Sequence, residues 1–248
     1  MPNTKQKTPG LKKAVIIGAS SGIGSELARV LAQEGYTLGL AARRVHLLKE
    51  LARTLPTECC IRGIDASLVA EGMDKLEELL LEMGGVDLVI ISAGTGFVNP
   101  DLEWSKEKAT IDLNVSGFAA MANVAFRHFC KRGSGHLVSI SSIAALRGGR
   151  QAPAYNASKA FISNYMQGLQ QKAAKMGAPI RITDIKPGFV DTEMAKGQGL
   201  FWVQTPRKVA RQILTIIKSG RKHAYVTRRW RLIAWAIKVM PDFVYNRI

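Results

Sequence analysis

The chain reads as an α/β protein: one domain built on a doubly wound, mostly parallel sheet with helices on both faces. Three observations predict this. Short apolar runs alternate with longer amphipathic stretches. A glycine-rich turn follows the first apolar run. The 248 residues, 47% of them hydrophobic, suffice for one buried core, and neither linker nor internal repeat divides them.

The apolar runs at 14–17, 37–41, 86–91, 136–140 and 180–185 predict buried strands, with a weaker strand at 59–64. Between them, amphipathic stretches near 22–34, 44–54, 67–82, 104–132 and 154–176 predict helices. Strands that alternate with helices imply crossover connections and a parallel sheet covered on both sides. A helix at 206–218 and a short strand at 223–227 complete a seven-stranded sheet.

Lysine and arginine number 35 against 19 acidic residues, a formal net charge of +16. Such a chain attracts polyanions: nucleotides, phosphorylated substrates, nucleic acid or an anionic membrane surface. The basic residues are dispersed rather than grouped with aromatics on a reading face, so no nucleic acid is expected. No apolar run reaches the length of about 18 residues that a spanning helix needs. Residues 1–13 are polar and basic, without the apolar centre of a signal peptide. Cys59 and Cys60 are adjacent and Cys130 is the third cysteine, an arrangement that suits neither a disulfide framework nor a metal site. A reducing, cytoplasmic setting is expected.

After the first strand come Gly18, Ala19, Ser20, Ser21, Gly22, Ile23 and Gly24, and then a helix. Glycines in such a turn let the backbone approach a pyrophosphate, and the helix start aims free N–H groups and its positive dipole end at the anion. The second strand ends in Ala41, Ala42, Arg43 and Arg44. A carboxylate there would accept from a ribose diol; two arginines instead suit the 2′-phosphate of NADPH. Arg43 is the first candidate; the alternative reading makes both solvated residues of the next helix's first turn. Asp65, after the third strand, either accepts from the adenine amino group or caps a helix.

Tyr155 and Lys159 stand four residues apart at the start of a long helix, on one face. A tyrosine hydroxyl titrates near 10, and a neighbouring ammonium lowers that value by favouring the phenolate. Upstream, Ser142 at the end of a strand is able to donate to a carbonyl oxygen or to cap that strand end. Asn114, within the apolar run Ile111–Val115, is either a satisfied core amide or the holder of a water that relays protons toward Lys159.

Taken in order, Gly18, Gly22 and Gly24, Asp65, Ala93–Gly94, Asn114, Ser142, Tyr155 and Lys159, and Pro187–Gly188 resemble the short-chain dehydrogenase/reductase family over about residues 13–192. The resemblance implies a Rossmann-type sheet and a catalytic tetrad of Asn114, Ser142, Tyr155 and Lys159, and the arginines after the second strand make NADPH the expected cofactor. In that family the tyrosine is the general acid in reduction, the lysine lowers its pKa and holds the nicotinamide ribose, the serine positions the carbonyl, and the asparagine supports the relay. Thr192 and the backbone of Val190 would contact the nicotinamide carboxamide. A homo-oligomer, dimer or tetramer, is also implied. Two positions depart from the family pattern: Ile17 stands where a threonine is usual, and Ser92 where an asparagine precedes Ala93–Gly94.

In the family the stretch 191–206 is a substrate lid; here it contains Gly197, Gly199, Phe201 and Trp202, which suits a carbonyl substrate with a non-polar part or, alternatively, a surface loop with apolar residues tucked onto the core, while the C-terminal tail resembles that of family members acting on lipid-like substrates. Arg147 and Arg150, between Ser142 and Tyr155, are read as solvated loop residues or contacts for an anionic substrate group. The tail, 228–248, is amphipathic: Arg228, Arg231, Lys238 and Asp242 form a narrow polar stripe, with Trp230, Ile233, Trp235 and Ile237 on the rest. Such a helix docks on the core or a subunit interface, or lies peripherally in a membrane interface. The leading expectation is an NADPH-dependent carbonyl reductase; the alternative is a non-catalytic NADPH-binding scaffold or sensor.

Overall fold

A computed structural model describes residues 12–193 and 201–247. Within them, seven strands and nine helices alternate: β1 (Lys13–Ile17), α1 (Gly22–Gln33), β2 (Thr37–Ala42), α2 (Val45–Arg53), β3 (Cys59–Gly63), α3 (Val69–Glu82), β4 (Leu88–Ile91), α4 (Trp104–Ile111), α5 (Phe118–Arg132), β5 (Gly135–Ile140), α6 (Pro153–Met176), β6 (Ile180–Pro187), α7 (Pro206–Ser219), β7 (His223–Val226), α8 (Trp230–Val239) and α9 (Asp242–Tyr245). The strands form one fully parallel sheet in the order β3-β2-β1-β4-β5-β6-β7, the doubly wound Rossmann arrangement.

Both faces of the sheet are covered, which is why the central strands are apolar throughout rather than alternating. From β1, Ala14 and Ile16 face one core, with Leu27 and Leu31 of α1, Leu48 of α2 and Ile213 of α7. Val15 and Ile17 face the other, with Leu76 and Leu79 of α3, Met121 of α5 and Ile162 and Met166 of α6. Truncating a fully buried leucine such as Leu31 to alanine costs about 2–5 kcal/mol. All five residues of the edge strand β3 are only partly buried, which accounts for its weaker apolar signal.

The helical stretch at 104–132 is continuous but not uniform: α4 and α5 are joined by a π-helical turn, Asp112–Gly117. Hydrophobic periodicity does not reveal such a turn, and π turns concentrate at functional sites. This one carries Asn114. A short 3₁₀ turn, Ile143–Leu146, lies between β5 and α6. Thr205 caps α7 through the Lys208 amide, with Pro206 in the first turn, where its missing N–H costs nothing. No helix among the described residues is long and apolar enough to cross a membrane.

Candidate active site

In a parallel sheet of this order, ligands bind outside the carboxyl ends of the strands, where the order reverses between β1 and β4. The residues anticipated from the sequence meet there. Gly18 leaves β1 with a φ of +90°, a conformation strained for side chains. A Cβ on Gly18 would lie 2.4 Å from the Ala93 nitrogen, and one on Gly24 would lie 2.1 Å from the Gly18 carbonyl oxygen. The turn is thus a backbone-lined cradle that only glycine permits. Ser21 precedes α1 in an extended conformation, and no side chain caps the helix start. Ile23 packs its side chain against the core beneath.

The departures at Ile17 and Ser92 do not unbrace this turn, because the backbone does the bracing. The Gly18 and Ala19 amides donate to the Ala41 carbonyl at 2.8 and 3.2 Å, and the Ser92 and Ala93 amides donate to the Ile17 carbonyl at 2.8 and 2.9 Å. The Ile17 side chain is buried in the core.

Of the two arginines, Arg44 is the one drawn onto the turn. Its guanidinium donates to Ser21 Oγ at 2.7 Å and to Ser20 Oγ at 3.3 Å, and lies 3.5 Å from Glu193. Arg43 is exposed, with Asp65 at 4.0 Å. Asp65 Oδ1 accepts from the Ser67 amide at 3.0 Å and the Ser67 hydroxyl at 2.6 Å, an Asx turn ahead of α3 rather than a cap on it, since Leu68 holds the N-cap position without a side-chain cap. The other Asp65 oxygen faces Arg43.

Thr192 reaches back over the start of α1: a Cβ on Gly22 would lie 3.1 Å from its Cγ2. Ser21, Gly22, Asp191, Thr192 and Glu193 line the cleft between them, together with the start of α7. Val190 is buried and bridges to Gln204. Pro187 ends β6, and the backbone of Gly188 lies directly against the Trp230 indole; a Cβ there would lie 2.0 Å from the ring. The family lid is only partly described: Phe201 and Trp202 are, whereas Gly197 and Gly199 lie outside the described residues.

Ser142, Tyr155 and Lys159 converge at the ends of β4 and β5 and the first turns of α6. The Tyr155 ring lies over Gly96, where a Cβ would meet it at 2.3 Å, and the Lys159 Nζ is 5.6 Å from the ring centre. Burial raises the Tyr155 pKa, and the Ser142 hydroxyl acts against that shift. Burial lowers the Lys159 pKa to about 8, with the buried carboxylate of Asp184 acting against it. Lys159 donates one proton to the Ile140 carbonyl at 3.3 Å, which leaves donors of its ammonium for a ligand. Ser142 Oγ accepts from the Ala144 amide at 3.1 Å. It is therefore a cap whose own proton remains available to donate.

Asn114 is completely buried and fully engaged. Its Oδ1 accepts from the Thr95 amide at 2.8 Å, and its Nδ2 donates to the Thr95 carbonyl at 2.6 Å and to Ser158 Oγ at 3.0 Å. Ser158 in turn donates to the Tyr155 carbonyl at 2.8 Å. The side chain thus ties the loop after β4 to α6, as a satisfied core amide. A Cβ on Gly94 would sit 3.3 Å from both Asn114 Oδ1 and Lys159 Nζ, so that glycine lets the two elements close. Ser158 and Gly96 belong to no motif in the sequence; their only local signal is proximity, Ser158 between Tyr155 and Lys159 and Gly96 two residues after Gly94.

Comparison with known proteins agrees with this architecture. The family model described as short chain dehydrogenase matches residues 12–200. An uncharacterized oxidoreductase of Mycobacterium tuberculosis is 36% identical, with 95% of this chain and 96% of that protein covered. An uncharacterized oxidoreductase of Myxococcus xanthus is 36% identical over 74% of each. Among solved structures, a short-chain dehydrogenase from Sphingobium yanoikuyae in complex with NADPH superposes with a TM-score of 0.77 at 24% identity, covering 96% of each chain. One from Burkholderia cenocepacia in complex with NADP gives 0.82 at 20% identity, covering 96% of this chain and 97% of that one. With the glycine cradle, the parallel sheet order and this family match together, the chain belongs to the short-chain dehydrogenase family of oxidoreductases.

Proposed function

We propose that the protein catalyses the NADPH-dependent reduction of a ketone, or the reverse oxidation of an alcohol, with Tyr155 as the general acid or base. The observation that carries this reading is the convergence of Tyr155, Lys159 and Ser142 beside the backbone cradle of Gly18 and Gly24. The residues fit a dinucleotide: the cradle is closed to any side chain, and the start of α1 is uncapped. Arg44 and Arg43 would hold the 2′-phosphate, Thr192, Val190 and Gly188 would face the carboxamide, and Lys159 would hold the ribose. When bound, the cofactor supplies the hydride that reduces the carbonyl carbon. Tyr155 donates its phenolic proton to the carbonyl oxygen as charge builds there, while Ser142 donates a hydrogen bond to the same oxygen. The Lys159 ammonium favours the phenolate that remains. Asn114, through Thr95 and Ser158, holds the two sides of the site in register.

The substrate side favours an apolar compound. Phe97 and Val98, directly after Gly96, are exposed, as are Phe201 and Trp202. The outer face of the tail exposes Leu232, Trp235, Val239 and Phe243 beside Arg228, Arg231 and Lys238. This composition supports peripheral contact with an anionic membrane, from which a lipid-like substrate would be drawn. The reading also includes a homo-oligomer.

The test is NADPH oxidation against a panel of ketones of increasing apolar length. Turnover that rises with chain length and is much weaker with NADH supports the proposal; tight NADPH binding with no turnover across the panel overturns it. Co-sedimentation with anionic liposomes, lost on deletion of 228–248, tests the membrane contact.

A further inference from the structure

The C-terminal tail touches the site from two sides. At its start, Trp230 is buried against Gly188, with its ring centre 5.3 Å from that of Phe189 and 5.2 Å from that of Phe201. At its end, the main anchor is Arg147. This arginine lies just after the 3₁₀ turn that follows Ser142, and its side chain is only 21% exposed. One guanidinium nitrogen donates to the carbonyl oxygens of Met240, at 2.6 Å, and Ile237, at 3.5 Å, and so caps the C-terminus of α8. The other pairs with Asp242. The guanidinium carbon lies 4.3 Å from the centre of the Tyr245 ring, a cation–π arrangement, and Tyr245 returns a hydrogen bond from its hydroxyl to the Gly148 carbonyl at 2.6 Å. On its backbone side, the Arg147 carbonyl accepts from Nδ2 of Asn156 at 2.9 Å, and Asn156 is the residue after Tyr155. Neither a solvated loop residue nor a substrate anion contact describes this arrangement: both terminal nitrogens of the Arg147 guanidinium are engaged by the tail.

We propose that Arg147 is a positioning residue that latches the tail, α8 and α9, onto the loop between Ser142 and Tyr155, so that the tail forms a wall of the substrate pocket and the loop depends on it for its geometry. Two parts of the site are thereby connected through one helix, with Gly188 at the Trp230 end and the Ser142–Tyr155 loop at the Arg147 end. An arginine suits the task because its planar fork serves two carbonyls, a carboxylate and an aromatic face at once; a lysine offers a single charged point. The pocket assignment rests on the reductase reading, whereas the latch itself rests on the contacts.

The experiment compares wild type, Arg147→Ala and Arg147→Lys by hydrogen exchange of the full chain and by steady-state kinetics with NADPH and the best ketone of the panel. For Arg147→Ala, exchange rises about tenfold in both 143–156 and 230–247, while the β1–β4 half of the sheet is unchanged. The ketone KM rises about fivefold or more, with NADPH affinity within about twofold of wild type, and Arg147→Lys falls between the two. Faster exchange in 230–247 alone, with 143–156 and KM unchanged, would overturn the proposal, since Arg147 would then only anchor the tail. A uniform rise across the sheet would overturn it as well, because the residue would then act on global stability. If wild type reduces no ketone, the reductase reading fails, and the exchange pattern still decides the latch.

Discussion

Asn114 and Ser158, 44 residues apart in sequence, are joined by a buried hydrogen bond of 3.0 Å between the amide Nδ2 and the serine Oγ. Through it the π turn of one helix is fixed to the first turns of another, and Ser158 passes the constraint to the Tyr155 carbonyl. The position of Tyr155, the proposed proton donor, is thus braced by two residues of the buried interior.

Replacing Asn114 by alanine strands the Thr95 amide and carbonyl. Each unpaired buried group costs about 1–3 kcal/mol. The expected result is a drop in Tm of roughly 5 °C or more and a loss of turnover of about 10-fold or greater. Thermal unfolding and kcat measured on the same preparation check both.

Burial holds Lys159 at about 8, well below an ordinary lysine. Below that pH the ammonium is present and strengthens Tyr155 as an acid; above it the lysine is neutral and the phenol weakens. Reductive kcat/KM should therefore be level below about pH 8 and fall above it. Arginine stays protonated in this range, so Lys159→Arg should remove the falling limb from whatever activity it retains. The pH profiles of the two proteins decide this.

Arg44, which lies against Ser20 and Ser21, should matter more for the cofactor than the more exposed Arg43. A lost charged hydrogen bond is worth about 1.5–3 kcal/mol, so Arg44→Ala should weaken NADPH about 10- to 100-fold. NADH, which lacks the 2′-phosphate, should be little affected. Titration of both nucleotides with Arg44→Ala and Arg43→Ala checks the order.

His136 is buried, with its Nε2 2.8 Å from Thr183 Oγ1, and burial lowers its pKa to about 4. The unfolded chain protonates this group near 6.5, so below that pH the unfolded state binds the extra proton and stability falls until about pH 4. The shift corresponds to a loss of about 3 kcal/mol across that window. Denaturant unfolding at pH 7 and pH 4 should show it, and His136→Gln should lack that share of the difference.

Much of the fold was written in local pattern. Apolar runs gave every strand to within two residues at each end, including the Pro187 end of β6, because parallel central strands are apolar on both faces. The cradle and the Tyr155–Lys159 pair were legible because glycine spacing and helical spacing act over a few residues. What was not legible depends on long-range pairing. Periodicity treats 104–132 as one helix and does not register the π turn that aims Asn114 at Ser158. Which arginine turns toward the cradle depends on backbone direction at the end of β2, not on composition. Arg147 and Asp242 are 95 residues apart, and nothing local marks them as partners. The pattern of the tail admits a docked helix or an interfacial one; Trp230 and Ala234 dock α8 by a narrow buried face, while Leu232 and Trp235 on its other side stay exposed.

The central claim is that Tyr155 delivers the proton. The measurement is turnover of NADPH and the best ketone by Tyr155→Phe, beside NADPH binding by the same protein. The account predicts a turnover loss of about 1,000-fold with NADPH affinity within about twofold of wild type, since the ring still packs on Gly96 and only the hydroxyl is gone. Turnover within about tenfold of wild type would contradict it.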